Sequence, residues 1–287
     1  MSRLSQRSSL PIMSELGLDS VATEQRGFGG LLREWRTTRG LSQLTLSMRG
    51  GVSSRHLSYM ETGRARPSRD MVLALAQALE IPLRDRNALL QAAGFAAIYR
   101  ETPLQAQPMG PVRDAINLLL RSTEPNPTFV VNRRYDVLDS NETGRWLLAT
   151  FTEDLRSFAP PYNFGKLLVS AKGMREHVEN WTDVARKVLG RLKRELGSTP
   201  QMRDAADEEL LRTIALVWGE LGAPPSPTEA LPLLVPVRLR RGTLGLRLFT
   251  TIATLGTPLD VTLQELRIEM LFPADEDSKR VLETRSL

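Results

Sequence analysis

The 287-residue chain has no cysteine and only two histidines, His56 and His177, far apart in sequence. Without thiols there is no disulfide framework and no thiolate metal site, a composition that fits a reducing cytosol. With so few histidines, a His-rich metal cluster and a His-dependent catalytic triad are both unexpected. Long apolar stretches are also missing. The run of apolar residues and proline at Leu231–Val237 is far short of the ~20 residues that a membrane span needs. The first residues lack the continuous apolar core of a signal peptide, so a cytoplasmic protein without membrane contact is expected. Nor is there a GxSxG elbow, a Walker loop, a GxGxxG turn or a set of metal-spaced ligands. Glu176, Glu179 and Asp183 fall among helical surface charges, where solvation explains them better than acid–base work. An enzyme is therefore not expected.

What is present is a soluble composition, 41% hydrophobic and 25% charged, long enough for two ordinary domains. The net charge is +5, and its placement matters more than its size. Residues 28–98 hold ten arginines and five acidic residues, which gives +5 there and leaves about zero for the remainder. A phosphate-binding surface needs positive charge concentrated in this way.

The same region carries helix punctuation. In LSQLTLSMRGGVSSRHLSYMETGRARP, from Leu41 to Pro67, Ser42 caps a short helix through Met48 and Gly50-Gly51 supply a turn. Ser53 then caps a second helix running to Thr62, before Gly63. A serine oxygen accepts an orphan N–H at a helix start, and glycine takes the left-handed conformation cheaply at its end. This is the pattern of a helix-turn-helix, whose second helix enters the DNA major groove. Leu31, Leu32 and Trp35 precede it as one apolar stripe. Met71, Val72, Leu75, Ala76 and Leu79 follow as another, and Leu83–Ala93 makes a fifth helix stopped by Gly94.

The expected organisation is a mostly disordered leader over 1–26, a short helix around Ile12–Leu18 remaining open, then an all-α head over 27–99. A linker over 100–111, with three prolines and a glycine from Thr102 to Pro111, leads to an α+β domain over 112–283. In the last domain, Thr128–Asn132 and Tyr135–Leu138 read as a hairpin around Arg133-Arg134, and Asn141 opens a helix. Helical patterns return at Gly165–Ala171, Val178–Leu196 and Pro200–Leu221. Three strands close it: Leu231–Arg240, Leu244–Ala253 and Leu263–Phe272, the first two joined at Arg241-Gly242. Alternation puts Leu233, Val235, Val237, Leu239, Leu246, Leu248, Ile252, Leu266, Ile268, Met270 and Phe272 on one buried face. Arg238, Arg240, Arg247, Arg267 and Glu269 fall on a wet one.

The head resembles phage-repressor-like DNA-binding domains of the Xre family. Leu32, Arg36, Gly40-Leu41-Ser42-Gln43, Gly51-Val52-Ser53, Glu61, Arg64, Pro67, Leu75-Ala76 and Leu79 carry the likeness. Met48-Arg49 departs from it, standing where small residues such as alanine are usual. The second domain is similar to the ligand-binding domain of MmyB-like transcription regulators. The carrying residues are Pro127, Val130, Asn132 to Leu138, Asn141, Asn163, Leu167-Leu168 and Trp181. Denser still is the run Thr254 to Leu263, continuing through Glu265–Glu269 and Phe272–Asp275. That resemblance implies a PAS-like fold and a fatty-acid-like or other hydrophobic effector, with no other cofactor.

On this reading Ser54, Arg55, His56 and Tyr59 face the bases. Arg55 is suited to the guanine O6/N7 edge, His56 reads a base or touches phosphate, and Tyr59 reads a base or packs on a neighbouring helix. Arg36, Gln43, Ser53, Arg64 and Arg66 are the phosphate candidates, and Glu61 pairs with a nearby arginine. Phe129, Trp146, Trp181, Trp218, Leu248 and Ile252 either wall a ligand pocket or are plain core. Arg133-Arg134 attract a carboxylate or are solvated. The partners expected are double-stranded operator DNA, a second copy of the chain in a homodimer, and the effector. The alternative is a DNA-binding regulator whose second domain serves only dimerisation or partner binding.

Overall fold

A computed structural model describes residues 27–197, 203–221, 236–256 and 258–285, so the expected leader lies outside the described residues. They form two compact units. Of the described residues, one unit comprises 27–103 together with 256 and 258–264, and the other comprises those of 104–255 and 265–285.

The first unit is built on α1 (Phe28–Thr38), α2 (Gln43–Arg49), α3 (Ser54–Glu61), α4 (Arg69–Ala78) and α5 (Leu83–Ala92). Three of these start on a serine whose oxygen accepts a backbone N–H three residues on: Ser42 from Thr45, Ser53 from His56 and Ser68 from Met71. Gly51 makes the turn between α2 and α3 with φ +66°, a conformation that a side chain would strain. The core is one cluster in which Leu32, Leu46, Leu57, Met60, Leu75 and Leu90 are sealed from solvent.

Gly29 lets α1 lie against the end of α3. A Cβ there would stand 2.3 Å from the Met60 carbonyl oxygen and 2.7 Å from that of Glu61. Both obstacles are backbone, so Gly29→Ala must push α1 away from the helix-turn-helix. The expected loss is ~1–3 kcal/mol, the usual cost of overpacking, readable as a lower denaturant midpoint with unchanged slope.

The fifth helix has an unusual start. Its N-cap is Pro82, with no side-chain acceptor, and the Leu83 N–H donates instead to Gln264 Oε1 at 2.6 Å. The stretch after it is held as well. Asn87 binds the backbone of Ile98 and Tyr99, Arg100 O accepts the Val261 N–H, and Thr102 donates to Asp260. The beginning of the expected linker is thus fixed to the head, and its end is helical.

The second unit contains α6 (Gly110–Ser122), β1 (Thr128–Val131), β2 (Val137–Ser140), α7 (Glu142–Phe151), α8 (Phe164–Val169), α9 (Trp181–Gly197) and α10 (Ala205–Trp218). It continues with β3 (Val237–Arg241), β4 (Leu244–Ala253), β5 (Arg267–Pro273) and α12 (Glu276–Arg285), while α11 (Val261–Glu265) begins in the first unit. The sheet is antiparallel in the order β2-β1-β5-β4-β3. The β3–β4 hairpin turns at Gly242-Thr243, one residue later than expected, with Gly242 at φ +59°. Residues 200–202 and 231–235, read as helix and strand, lie outside the described residues.

Two expectations need correction. Leu263–Leu266 do not extend β5, because 261–265 form α11. The assignment of β5 side chains to faces is also reversed. Ile252 stands opposite Glu269 and Phe129 opposite Glu269, so Glu269 shares a face with Phe129, Ile252 and Leu248. Ile268 stands opposite Val130 and Ala253 on the other face. Alternation within one strand fixes which residues go together but not which set meets the neighbour's core. Register decides that, and a one-residue slip inverts the set. The second face is not uniformly wet either. Arg238, Arg240 and Arg247 are exposed, but Val130 and Ile268 are buried with Ile116 and Leu120 of α6. Phe129, Val131, Leu239, Leu246 and Leu248 belong to the larger core with α7 to α10.

Candidate functional site

In the head, α3 starts at a cap and ends on a glycine, and this orientation leaves Leu57 and Met60 buried while Arg55 is exposed. Ser54, His56 and Tyr59 are half-buried. Ser54 Oγ meets Ser47 Oγ at 2.9 Å, so two small hydroxyl side chains make the close contact between α2 and α3. That settles the departure at Met48, which is 68% exposed and does not enter the contact. Arg55 Nε donates to Tyr59 Oη at 3.1 Å, with the guanidinium carbon 5.5 Å from the ring centre. The two side chains form one unit a helical turn apart, with Arg55 exposed and Tyr59 half-buried.

The phosphate candidates divide. Ser53, Arg64 and Arg66 are exposed, and Ser53 accepts the His56 N–H while keeping its own O–H to donate. Arg36 is a correction. Its side chain is only 11% exposed, its Nε and Nη2 donate to Glu61 at 2.6 and 2.9 Å, and Nη1 donates to the Leu41 carbonyl at 2.9 Å. Gln43, half-buried at the start of α2, gives an amide hydrogen to Glu61 Oε2 at 2.8 Å. Glu61 is thus the arginine-paired structural residue expected, and it gathers α1, α2 and α3 around one carboxylate. Burial on its own would raise the Glu61 carboxyl. The hydrogen bonds from Arg36 and Gln43 outweigh it and hold the group below the ordinary carboxylate range.

Five of the six expected pocket walls belong to the larger core or pack against it. Phe129 and Leu248 are fully buried core, and Phe129 meets Phe164 edge-on at 4.9 Å. The three tryptophans are half-buried, and each is covered by a cation: Trp146 by Arg285, Trp181 by Arg175 and Trp218 by Lys193. Trp181 also donates its indole N–H to the Leu168 carbonyl at 2.7 Å. Ile252 is half-buried beside Glu269 in register. A shallow groove along α12 is lined by Arg280, Val281, Thr284 and Arg285, none of them expected walls.

Sequence reasoning missed a polar cluster on the covered face of the sheet. Tyr135, 3% exposed and at φ +65°, accepts from Arg191 Nη1 at 2.7 Å, and that nitrogen stands 3.6 Å from Glu269 Oε1. Burial raises the Glu269 carboxyl, with Tyr135 and Arg191 opposing it in part. Burial likewise raises Glu195, one turn along α9 from Arg191, against the pull of Arg267 and Arg191. A signal was available, since Arg267 and Glu269 interrupt an otherwise apolar strand. The arginine pair before Tyr135 is not solvated. Arg133 Nη2 and Arg134 Nε each donate to Asp207 at 2.5 Å, and Arg134 also pairs with Asp204.

Among the described residues no helix is long and apolar enough to cross a membrane, and no cluster of ligands suited to a metal ion is present. No curated protein matches the chain. A solved structure described as "Structure of an RNA-binding Light-Oxygen-Voltage Receptor" aligns over 99% of this chain and 69% of that one, at 11% identity with a TM-score of 0.23. The helix-turn-helix domain family matches residues 28–89, which contain the capped α2–α3 pair. The family described as "MmyB-like transcription regulator ligand binding domain" matches residues 112–284, more than half of the chain. With an α-helical helix-turn-helix head and this α+β domain behind it, the chain belongs to the MmyB-like transcription regulators.

Proposed function

We propose that the chain is a cytoplasmic, homodimeric regulator that reads operator DNA through α3 and answers to a hydrophobic, fatty-acid-like effector held in a PAS-like second domain. The single observation that carries the DNA reading is Arg55. It is exposed on the first turn of a capped second helix, in a head that holds the whole excess of positive charge. Ser54 and His56 share that first turn and Tyr59 follows one turn on, while Ser53 before α3, Arg64 and Arg66 after it, and the remaining amide hydrogen of Gln43 supply phosphate contacts. One recognition helix spans few base pairs, so useful affinity needs two heads on a two-fold site.

The effector reading is supported by the five-stranded antiparallel sheet with helices over it, and by the Tyr135–Arg191–Glu269 cluster. Ionisable groups held inside an apolar layer are what functional sites contain more often than plain cores do. Arg191 offers a positive charge to an acidic headgroup, and Phe129, Leu248 and Ile252 offer apolar surface on the same sheet face.

Selection from a random duplex pool, with and without cell lipid extract, tests both halves. Arg55→Ala is expected to lose ~1–3 kcal/mol of discrimination at one base step while keeping non-specific affinity. Arg64→Ala is expected to weaken all duplexes about equally and reduce the salt slope by ~1. Equal loss on specific and random DNA after removing Arg55 would contradict its assignment. Purified protein that carries no lipid by mass spectrometry, and whose DNA affinity ignores the extract, removes the effector reading.

A further inference from the structure

The densest stretch of the second domain's resemblance, around Gly256 to Leu263, has no part in either site described above. Residues 256 and 258–264 lie between β4 and β5 in sequence and fall inside the matched region 112–284, yet they pack into the compact unit of the head. Their contacts there are specific. The Asp260 carboxylate accepts the Thr102 N–H at 3.2 Å and the Thr102 hydroxyl at 2.6 Å. Val261, 1% exposed, donates its N–H to the Arg100 carbonyl at 2.8 Å. Gln264 Oε1 takes the Leu83 N–H, the orphan donor that Pro82 leaves at the start of α5. A family boundary drawn along the sequence therefore cuts through the head as it folds.

Resting on the DNA-binding reading, we infer that residues 258–264 are a coupling strap, a piece of the effector domain's chain built into the DNA-binding head. Its ends are short. Gln264 is three residues from Arg267, the first residue of β5, and three residues reach at most ~11 Å when fully extended. Asp260 is seven residues beyond Ala253, the last of β4. A change in the ends of β4 and β5 must therefore be absorbed within these few residues or passed to Asp260 and Gln264. Through Gln264 it reaches the first turn of α5, and through Asp260 and Val261 it reaches the segment that follows α5. Because coupling between two sites is reciprocal, DNA held by the head must be felt in β4 and β5.

Reciprocity allows a test without knowing the effector. Amide exchange of the full chain is followed with and without a random-sequence duplex at low ionic strength, with binding confirmed separately by fluorescence anisotropy. In the wild type, the duplex is expected to slow exchange in peptides spanning 244–253 and 267–273 by ~5-fold or more, the lower end of ordinary allosteric coupling. In Asp260→Ala/Gln264→Ala, the duplex still binds and the slowing is confined to the head. Gln264→Ala alone accelerates exchange at the Leu83 amide, and Thr102→Val, altered on the head's side, reproduces the uncoupling if the double variant does not fold. Unchanged protection at Leu83, equal slowing in wild type and variants, or no slowing in the wild type despite bound duplex overturns the strap. A wild-type chain that binds no duplex overturns the DNA-binding reading, and the strap's role with it.

Discussion

Replacing Glu61 by alanine is expected to remove most of the head's stability, ~3–5 kcal/mol. The carboxylate is 2% exposed and accepts three hydrogen bonds, two from Arg36 and one from Gln43. Without it the Arg36 guanidinium stays buried with only the Leu41 carbonyl as partner, an uncompensated charge in a small core. A domain whose total stability is ~5–15 kcal/mol does not absorb such a loss easily. The three bonds join α1, α2 and α3, so DNA binding should fall with stability although Glu61 touches no DNA. The effect carries a pH signature. Glu61 is lowered relative to the unfolded chain, so its contribution is present above the unfolded carboxylate value of ~4.3 and is lost as pH falls through the folded value. Glu61→Gln keeps a polar group but no charge, and its stability should depend less on pH across that acid window. Denaturant melts at neutral pH and near pH 3 read both effects. A Glu61→Ala head within ~1 kcal/mol of wild type at neutral pH would show that the buried pair does not hold these helices together.

The fate of Arg36 shows why the helices of the head were legible and part of its surface was not. Caps and stops are local. Ser42, Ser53 and Ser68 act within three residues, and Gly63 and Gly94 act at the ends they terminate. Arg36 and Glu61 are 25 residues apart, and nothing in the spacing distinguishes an arginine turned toward a carboxylate from one turned toward a phosphate. The sheet repeats the lesson at longer range. Each strand's alternation is readable, but the partner of Ile252 is set by register, so alternation alone puts Glu269 in water when it lies opposite Phe129. In sequence Trp146, Trp181 and Trp218 read as bulky apolar surface, yet each presents a ring to a cation at the edge of the core. The strap was visible only as a dense motif. Its destination depends on Leu83, Arg100 and Thr102, more than 150 positions away.

Asp207 should be as costly to the second unit as Glu61 is to the head. Its side chain is wholly buried, and one carboxylate oxygen takes Arg133 Nη2 while the other takes Arg134 Nε, both at 2.5 Å. It also completes the reciprocal cap of α10 with Asp204, whose carboxylate accepts the N–H groups of Ala206 and Asp207. One residue therefore ties the turn between β1 and β2 to the first turn of α10. In Asp207→Ala two arginines, 14% and 24% exposed, lose the carboxylate they share. Asp204 still offers Arg134 a partner, which sets the expected loss at the lower end of ~3–5 kcal/mol. Tyr135 follows Arg134 directly, so the turn that presents its hydroxyl to Arg191 should loosen with it. Asp207→Asn keeps an acceptor without the charge and should fall between wild type and alanine. The head has its own core, so its share of the melting curve and its affinity for DNA below the new midpoint should persist. Near-ultraviolet dichroism from Trp146, Trp181 and Trp218, with Trp35 as the head's reporter, separates the two transitions. If Asp207→Ala leaves the transition of the three tryptophans in place, the β1–β2 turn is held by other contacts, and its arginines are no more than a surface pair.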